Sequence, residues 1–495
     1  MTLPATDAAY AINVISGARG LTVRPGWEEV ETNLGGHEVR SLLPYHGSTP
    51  AADRLFASTS DYLYDTSGDA QVALWSTVDA TSGTGAHTVF TNGAGRWMAY
   101  TDEANGYYIY EEATDTWSVG SVTGPPVSDL VFVVSFKHRL WFVERGSSRA
   151  WYLGLDAISG ALTQFDFGPL FPHGGSLIGL YTWTMDGGIG ADDMFVACST
   201  AGDVVVFRGT DPASAATWEQ LGEFFVGGFP AGRRVAANSA GDILLLTVQG
   251  ALPLSKLVLG QALTPETYET RRVRPLFTEA MATMRAFPGW EMQIHPEANF
   301  LMINTPGNAA VGEIQKQFAM SYATRGWSRL VGLDILCTGV WRGKLYFGTR
   351  DGRVCLNEGP LDGVELGGVT TNATAIECAV LSAFRLFGTS KLKTVRHVIP
   401  TFITKGRVPD TDAFARFDYD VLEPVGSIPA SMFGPGLWDT GLWDSALWAG
   451  ALVPVLTVSG AEGEGRAIAV GCHFFSQDYT VLVGFMLAWE EGGLL

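Results

Sequence analysis

Charge is scarce in this sequence and lopsided. Only 17% of its 495 residues are Asp, Glu, Lys or Arg, and 32 Lys+Arg stand against 51 Asp+Glu, a formal net charge of −19. Gripping nucleic acid takes basic surface that displaces counterions from phosphates, so the balance excludes a DNA-binding regulator. It does not exclude a conduit through which DNA slides without sticking. Cysteine is sparse: five residues, Cys198, Cys337, Cys355, Cys378 and Cys472, none in a CxxC pair. That pattern reads as reduced, buried thiols in a protein that folds in cytoplasm, not as a disulfide framework or metal site. Met1-Thr2-Leu3-Pro4 lacks a basic region followed by an apolar run, so no secretory signal is expected. The longest apolar stretch, Val481 to Trp489, falls far short of the ~20 residues that span a bilayer.

Catalytic signatures are missing as well. The eight His are scattered, with no HxH, HExxH or His–Cys cluster; His138 falls at a turn. Gly187-Gly188-Ile189-Gly190 leads from one strand-like run into another, so it presents no helix N-terminus to a phosphate. Neither a Walker loop nor a GxSxG elbow occurs. The acidic pairs Asp102/Glu103, Glu111/Glu112 and Asp192/Asp193 abut turns and read as solvated loop ends, not as the opposed carboxylates of a glycosidase. No catalytic residue, metal ligand or cofactor is expected.

Glycine and aromatics, by contrast, are plentiful: 60 Gly, 12% aromatic and 46% hydrophobic residues, with few long amphipathic stretches, point to an all-β chain with many tight turns. One short unit recurs: a polar residue followed by a hydrophobic strand. It begins at Arg54, Arg96, Arg139, Asp193, Asp242, Asn299 and Lys344, at intervals of 42 to 57 residues. Each is followed by a second strand, near Tyr62, Tyr107, Trp151, Val204, Leu252, Phe318 and Val354, across turn-rich segments such as Asp102-Glu-Ala-Asn-Gly106. Four units run on to an aromatic: Trp117, Phe165, Trp218 and Trp327. A repeated unit of this size is the signature of a propeller blade, and seven matches predict about seven blades, with six to eight allowed. A β-sandwich would show no such super-period. The weakest unit lies between Gly250 and Phe287; it reads as an insertion between blades, with Thr264-Pro265-Glu266 capping a short helix.

The domains expected are a propeller over 36–360, a smaller β platform over 361–495, and an N-terminal segment, 1–35, packed with the platform. Platform strands are read at 369–387, 391–402, 452–458, 466–475 and 479–489. Within this part, three tandem Leu-Trp units place Trp438, Trp443 and Trp448 at a five-residue period that matches neither helix nor strand. They read as internal packing under a loop, a subunit contact or a sugar-stacking surface. Arg271, Arg272, Arg274 and Arg285 form the one basic concentration, either a solvated insertion or a contact for an acidic partner or DNA.

Several segments resemble the tail nozzle (tail hub) proteins of short-tailed bacteriophages. They are Asn13 with Arg24-Pro-Gly-Trp27, Arg40-Ser-Leu-Leu-Pro-Tyr45, Arg54-Leu-Phe-Ala-Ser with Asp61-Tyr-Leu-Tyr-Asp65, Phe384-Arg-Leu-Phe-Gly388 with Lys393, Arg396 and Pro400, and the tandem Leu-Trp-Asp run. The patterns are loose but span nearly the whole chain. The resemblance implies a structural virion protein without catalytic residues, assembled in the host cytoplasm as a hexameric ring below the head-to-tail adaptor. In such a ring the platform lines or supports the channel and the propeller lies outside. The ring holds a tip or needle protein and fibres, and genomic DNA passes through the lumen without specific binding. Two other readings stay open: a carbohydrate-binding or carbohydrate-cleaving propeller, which needs a central cleft of convergent aromatics and carboxylates, and a cellular propeller scaffold, which predicts a monomer.

Overall fold

The computed structural model describes residues 8–32, 34–67, 72–76, 82–184, 193–239, 241–260, 262–307, 315–423, 453–456 and 459–492. The chain is all-β: a seven-bladed propeller joined to a β-sandwich platform. Blades 1 to 4 are four-stranded antiparallel sheets that open at Val39, Gly85, Leu130 and Leu177. Blade 5 has three strands from Ala236 to Pro253, and blade 6 runs from Glu291 to Leu330. Blade 7 contributes Cys337–Trp341, Lys344–Gly348 and Val354–Leu356. The first strands touch in succession around a closed ring, except that blade 4 meets blade 5 through the latter's second strand.

The recurring hydrophobic unit is the second strand of each blade, and each blade begins one strand earlier than the hairpin reading placed it. Second strands are covered by the neighbouring blade on both faces. They therefore read as continuous apolar runs, as in Arg139–Glu144, where every residue after Arg139 is buried. The fourth strands of blades 2 to 4 lie at the rim and are mostly exposed, as in Thr116–Val119. Their aromatics reach across to the adjacent blade. Trp117 of blade 2 sits edge-on to Phe56 of blade 1 at 5.1 Å, and Trp218 of blade 4 stacks on Trp141 of blade 3 at 5.8 Å. Such pairs contribute roughly 0.5–1.5 kcal/mol beyond their buried area. Turn chemistry follows the sequence. Asp102 accepts the amides of Ala104 and Asn105, and Gly106 turns at φ +86 where a Cβ would stand 1.8 Å from the Val127 carbonyl.

Two boundaries differ from expectation. The 1–35 segment does not pack wholly with the platform: Trp27–Glu31 pairs antiparallel with Val354–Leu356 and is the fourth strand of blade 7. This strand from the N-terminal segment thereby covers the outer edge of the last blade and closes the ring. The stretch after Gly250 is not an insertion between complete blades. Its helices, α1 (Leu254–Val258) and α2 (Arg274–Met284), and two 3₁₀ turns stand where blade 5 has no fourth strand among the described residues. Phe277, Ala280, Met281 and Met284 of α2 bury against blades 5 and 6, an apolar stripe that replaces strand pairing with packing. Thr264 caps the first 3₁₀ turn through a reciprocal box with Thr267.

The platform is two packed sheets. One orders Ala8–Ile12, Thr374–Ser382, Ile468–Ser476 and Asp410–Phe417. The other orders Val14–Gly17, Gly20–Val23, Thr480–Glu491 and Lys393–Thr404, with Val453–Leu456 and Ser459–Gly465 on its far edge. Val14, Ile376, Val398, Phe402, Cys472 and Phe474 fill the space between them. The strand at 410–417 escaped the sequence reading because its alternation is weak. All five cysteines are free and buried.

If Trp27–Glu31 closes the ring, Val30→Asp, which forces a carboxylate against the blade 1–blade 7 core, destabilises the chain by about 2–3 kcal/mol. Hydrogen exchange should show protection lost first at 27–31 and 354–356; unchanged protection there contradicts the closure.

Candidate functional site: the junction, the propeller axis and the basic insertion

The chain crosses between platform and propeller twice, at Arg24–Gly26 and at Pro360–Val364, and the two crossings are fastened together. Arg24, 2% exposed, places Nη1 at 2.8 Å and Nη2 at 2.6 Å from the two carboxylate oxygens of Asp362. Its remaining donors reach Asn13 Oδ1, the Pro25 carbonyl and the Val331 carbonyl of blade 6. Asn13 is the corner at which the N-terminal strand leaves one platform sheet for the other. It adopts φ +58, which Asn tolerates, and its side chain also donates to the Glu377 carbonyl and accepts from the Val331 amide. Gly26 passes so close to the second crossing that a Cβ would stand 1.9 Å from the Leu361 carbonyl. Trp27 follows as the first residue of the closing strand. Asn13 and Arg24-Pro-Gly-Trp27, far apart from Asp362 in sequence, thus form one buried joint.

A cleft of about 550 Å³ lies beside this joint, between blades 6 and 7 and the platform, with Arg24, His295, Glu297, Glu358, Lys405 and Tyr479 on its walls. His295 is already committed. Its Nδ1 accepts the Ala298 amide, its Nε2 faces the Asn357 carbonyl at 3.1 Å, and burial lowers its pKa, which leaves a neutral ring in one tautomer.

The propeller axis is closed at the mouth where the first strands begin. Arg233 and Arg234, just before blade 5, fill it. Arg234 Nη2 donates to the Arg40 carbonyl and to Ser41 Oγ of blade 1, while Nη1 lies 3.7 Å from Glu291 of blade 6. Glu291 in turn accepts the Thr338 amide of blade 7. Arg233 donates to the carbonyls of Leu177 and Ile178 in blade 4 and lies 3.3 Å from Glu103 in blade 2. Burial pushes the carboxyls of Glu291 and Glu103 up, and the guanidinium groups pull them back toward the ionised form. Beside the two arginines, a recess of about 160 Å³ lies between the first strands of blades 2 to 5, where burial and then the Arg234 charge hold His87 down to about 4, neutral at physiological pH. The pair Asp102/Glu103 is therefore not a solvated loop end. Asp102 is 1% exposed and Glu103 pairs with Arg233. Nor is Glu112 free: it accepts Tyr45 Oη at 2.6 Å, and Asp193 pairs with Lys137.

The four arginines singled out from sequence are all exposed on the blade 5 insertion. Arg271 and Arg272 border a recess of about 230 Å³, whereas Arg274 and Arg285 begin and follow α2. Trp438, Trp443 and Trp448, and the run 187–190, lie outside the described residues. The two-arginine plug escaped the sequence reading; the adjacent Arg233-Arg234 in a Gly-rich connection was its only visible trace. Among the described residues no His, Cys, Asp or Glu side chains converge in groups suited to a metal, and no helix is long and apolar enough to cross a membrane.

No protein-family model and no curated protein matches the chain. Among solved structures, the extracellular domain of the BT4673 two-component system of B. thetaiotaomicron is similar at 11% identity and TM-score 0.42, over 75% of this chain and 43% of that one. The chain thus spans less than half the length of that extracellular domain. The WD40 β-propeller domain of Doa1 is similar at 10% identity and TM-score 0.39, over 67% of this chain and 96% of that one. BBS1N in complex with ARL6DN is similar at 12% identity and TM-score 0.41, over 68% and 97%.

A lysine head cannot fill the donor fork of Arg24, so Arg24→Lys should cost about 2–3 kcal/mol in urea unfolding and open the crossing at 360–364 to protease; wild-type stability would show the joint to be dispensable. Arg234→Ala strands Glu291 and should cost about 3–5 kcal/mol near pH 8. A carboxyl whose folded pKa lies above its unfolded value binds its proton more tightly when folded, so acid relieves the penalty. The gap between variant and wild type should narrow as pH falls toward about 5, and a gap that widens contradicts the assignment.

Proposed function

We propose that the chain is a structural virion protein, the nozzle or hub of a short bacteriophage tail. The observation that carries this reading is the joint. Among the residues that resemble tail nozzle proteins, Asn13 and Arg24-Pro-Gly-Trp27 are those that fix the propeller to the platform, where Arg24 meets Asp362. The closed axis supports it as well. A propeller with Arg233 and Arg234 in its mouth conducts nothing, so a lumen has to be built between copies, from the platform side. The same plug occupies the position where a ligand-binding propeller opens its central cleft, which weighs against the carbohydrate reading.

On this reading six copies form a ring below the head-to-tail adaptor, with propellers outside and platforms around the channel. Tip or needle protein and fibres dock on the ring, which is assembled in the host cytoplasm and resides in the virion tail. The surplus of carboxylates, −19 per chain, repels the phosphates of the passing genome and keeps it from adhering.

Electron microscopy of the assembled particle tests this: a six-fold ring with an acidic lumen is expected, and a monomer or a basic channel wall overturns it. Truncation after Gly359 removes Asp362 and Thr374–Ser382, the partners of Arg24 and of Ala8–Ile12, while keeping every blade strand. The truncated chain should retain propeller near-ultraviolet dichroism yet sediment without rings; intact rings from it contradict the role given to the platform.

A further inference from the structure

The cleft of about 550 Å³ beside the joint has the size of a small-ligand pocket, and the structural role proposed above leaves it unused. Three parts of the chain line it: the platform hairpin of Val14–Gly17 and Gly20–Val23, turns of blades 6 and 7, and the platform residues Lys405 and Asp478 to Thr480. Much of its charge is already spent. Arg24 gives every donor to Asp362, Asn13, Pro25 and Val331, and Glu358 pairs with Lys344. Lys405 then stands against the carboxylates of Glu297 and Asp478, and none of the three is in an ion pair among the described residues. Uncharged polar groups are unspent. Ser321 is 3% exposed and lines the cleft, and its hydroxyl meets no hydrogen-bond partner among the described residues. The side chains of Thr22 and Asn299 line it in the same condition. Tyr479, 40% exposed, adds an open aromatic ring, with Lys405 Nζ 5.8 Å from its centroid.

We propose that this cleft binds a short neutral oligosaccharide, stacked on Tyr479 and held through its hydroxyls by Thr22, Glu297, Ser321 and Lys405. A sugar hydroxyl both donates and accepts. One kind of ligand group therefore serves the acceptor-only carboxylate of Glu297, the donor-only ammonium of Lys405 and the buried hydroxyl of Ser321. The C–H face of a sugar ring is apolar and its rim polar, which suits an aromatic ring beside hydrogen-bonding groups. The lining holds no positive surplus once Arg24 is spent, so a phosphate-bearing ligand finds no counter-charge. A peptide arm adding as a strand finds no edge. The platform hairpin turns a face to the cleft, since Ile15 and Thr22 stand opposite each other and both line it, and the Ser16 carbonyl is taken by Thr324. The site lies off the propeller axis, so the arginine plug does not bear on it, and it stands or falls independently of the ring.

The test applies the full-length chain to a printed array of neutral bacterial oligosaccharides and titrates the best-bound member in solution by calorimetry. Wild type should bind, and added salt should leave the affinity within about twofold, because no ion pair forms. Tyr479→Ala should weaken binding about tenfold and Ser321→Ala about fivefold. Both variants should keep the fold, as near-ultraviolet dichroism will show: Tyr479 is exposed, and Ser321→Ala removes only an unpartnered hydroxyl. Tyr419→Ala, at an exposed platform tyrosine outside the cleft, should leave binding unchanged. Absence of binding across the array, undiminished binding by the two cleft variants, equal loss in Tyr419→Ala, or tighter binding of an uncharged asparagine–serine hexapeptide than of the oligosaccharide overturns the proposal.

Discussion

The ion pair between Arg24 and Asp362 is the point on which the architecture turns. Both chain crossings between propeller and platform pass through it, one on each partner. Arg24 is removed from water, and the cost is offset only because every donor of the guanidinium is used: two by the carboxylate, the rest by Asn13, Pro25 and Val331. Around it the sheets run on without a break. The fourth strand of blade 6 meets Ala8–Ile12, and the closing strand of blade 7 meets Leu361–Val364, which continues into Thr374–Ser382. The propeller is thus spliced to the platform through two of its own blades and is not hung from it by a linker.

Ring closure uses the same economy. Trp27–Glu31 completes blade 7, and one dipeptide, Arg233-Arg234, reaches blades 1, 2, 4 and 6 from the start of blade 5. Buried charges are placed where several blades converge, and aromatics are placed where two blades meet face to face. The insertion after Gly250 departs from this scheme. It gives up a strand, covers the blade edge with α2, and turns its arginines outward.

The seven hairpins, the second and third strands of every blade, the four rim aromatics, the turn at Gly106 and the helical character of the weak unit were all legible in the amino-acid sequence. Each depends on residues close together in the chain: doubly covered strands need uninterrupted apolar runs, and tight turns need Gly or Asp at set offsets. The first strand of each blade was not legible, because at the axis its residues face a narrow space and alternate irregularly. Nor was the assignment of Trp27–Glu31 to blade 7, the strand at 410–417, the burial of Asp102, the pairing of Glu103 with Arg233, or the plug. Those belong to tertiary structure. Arg24 and Asp362 stand 338 positions apart, and Arg234 and Ser41 193, so nothing local marks them as partners. Whether a charged residue is solvated or buried depends on which distant backbone groups surround it, and only the closed ring brings those groups together.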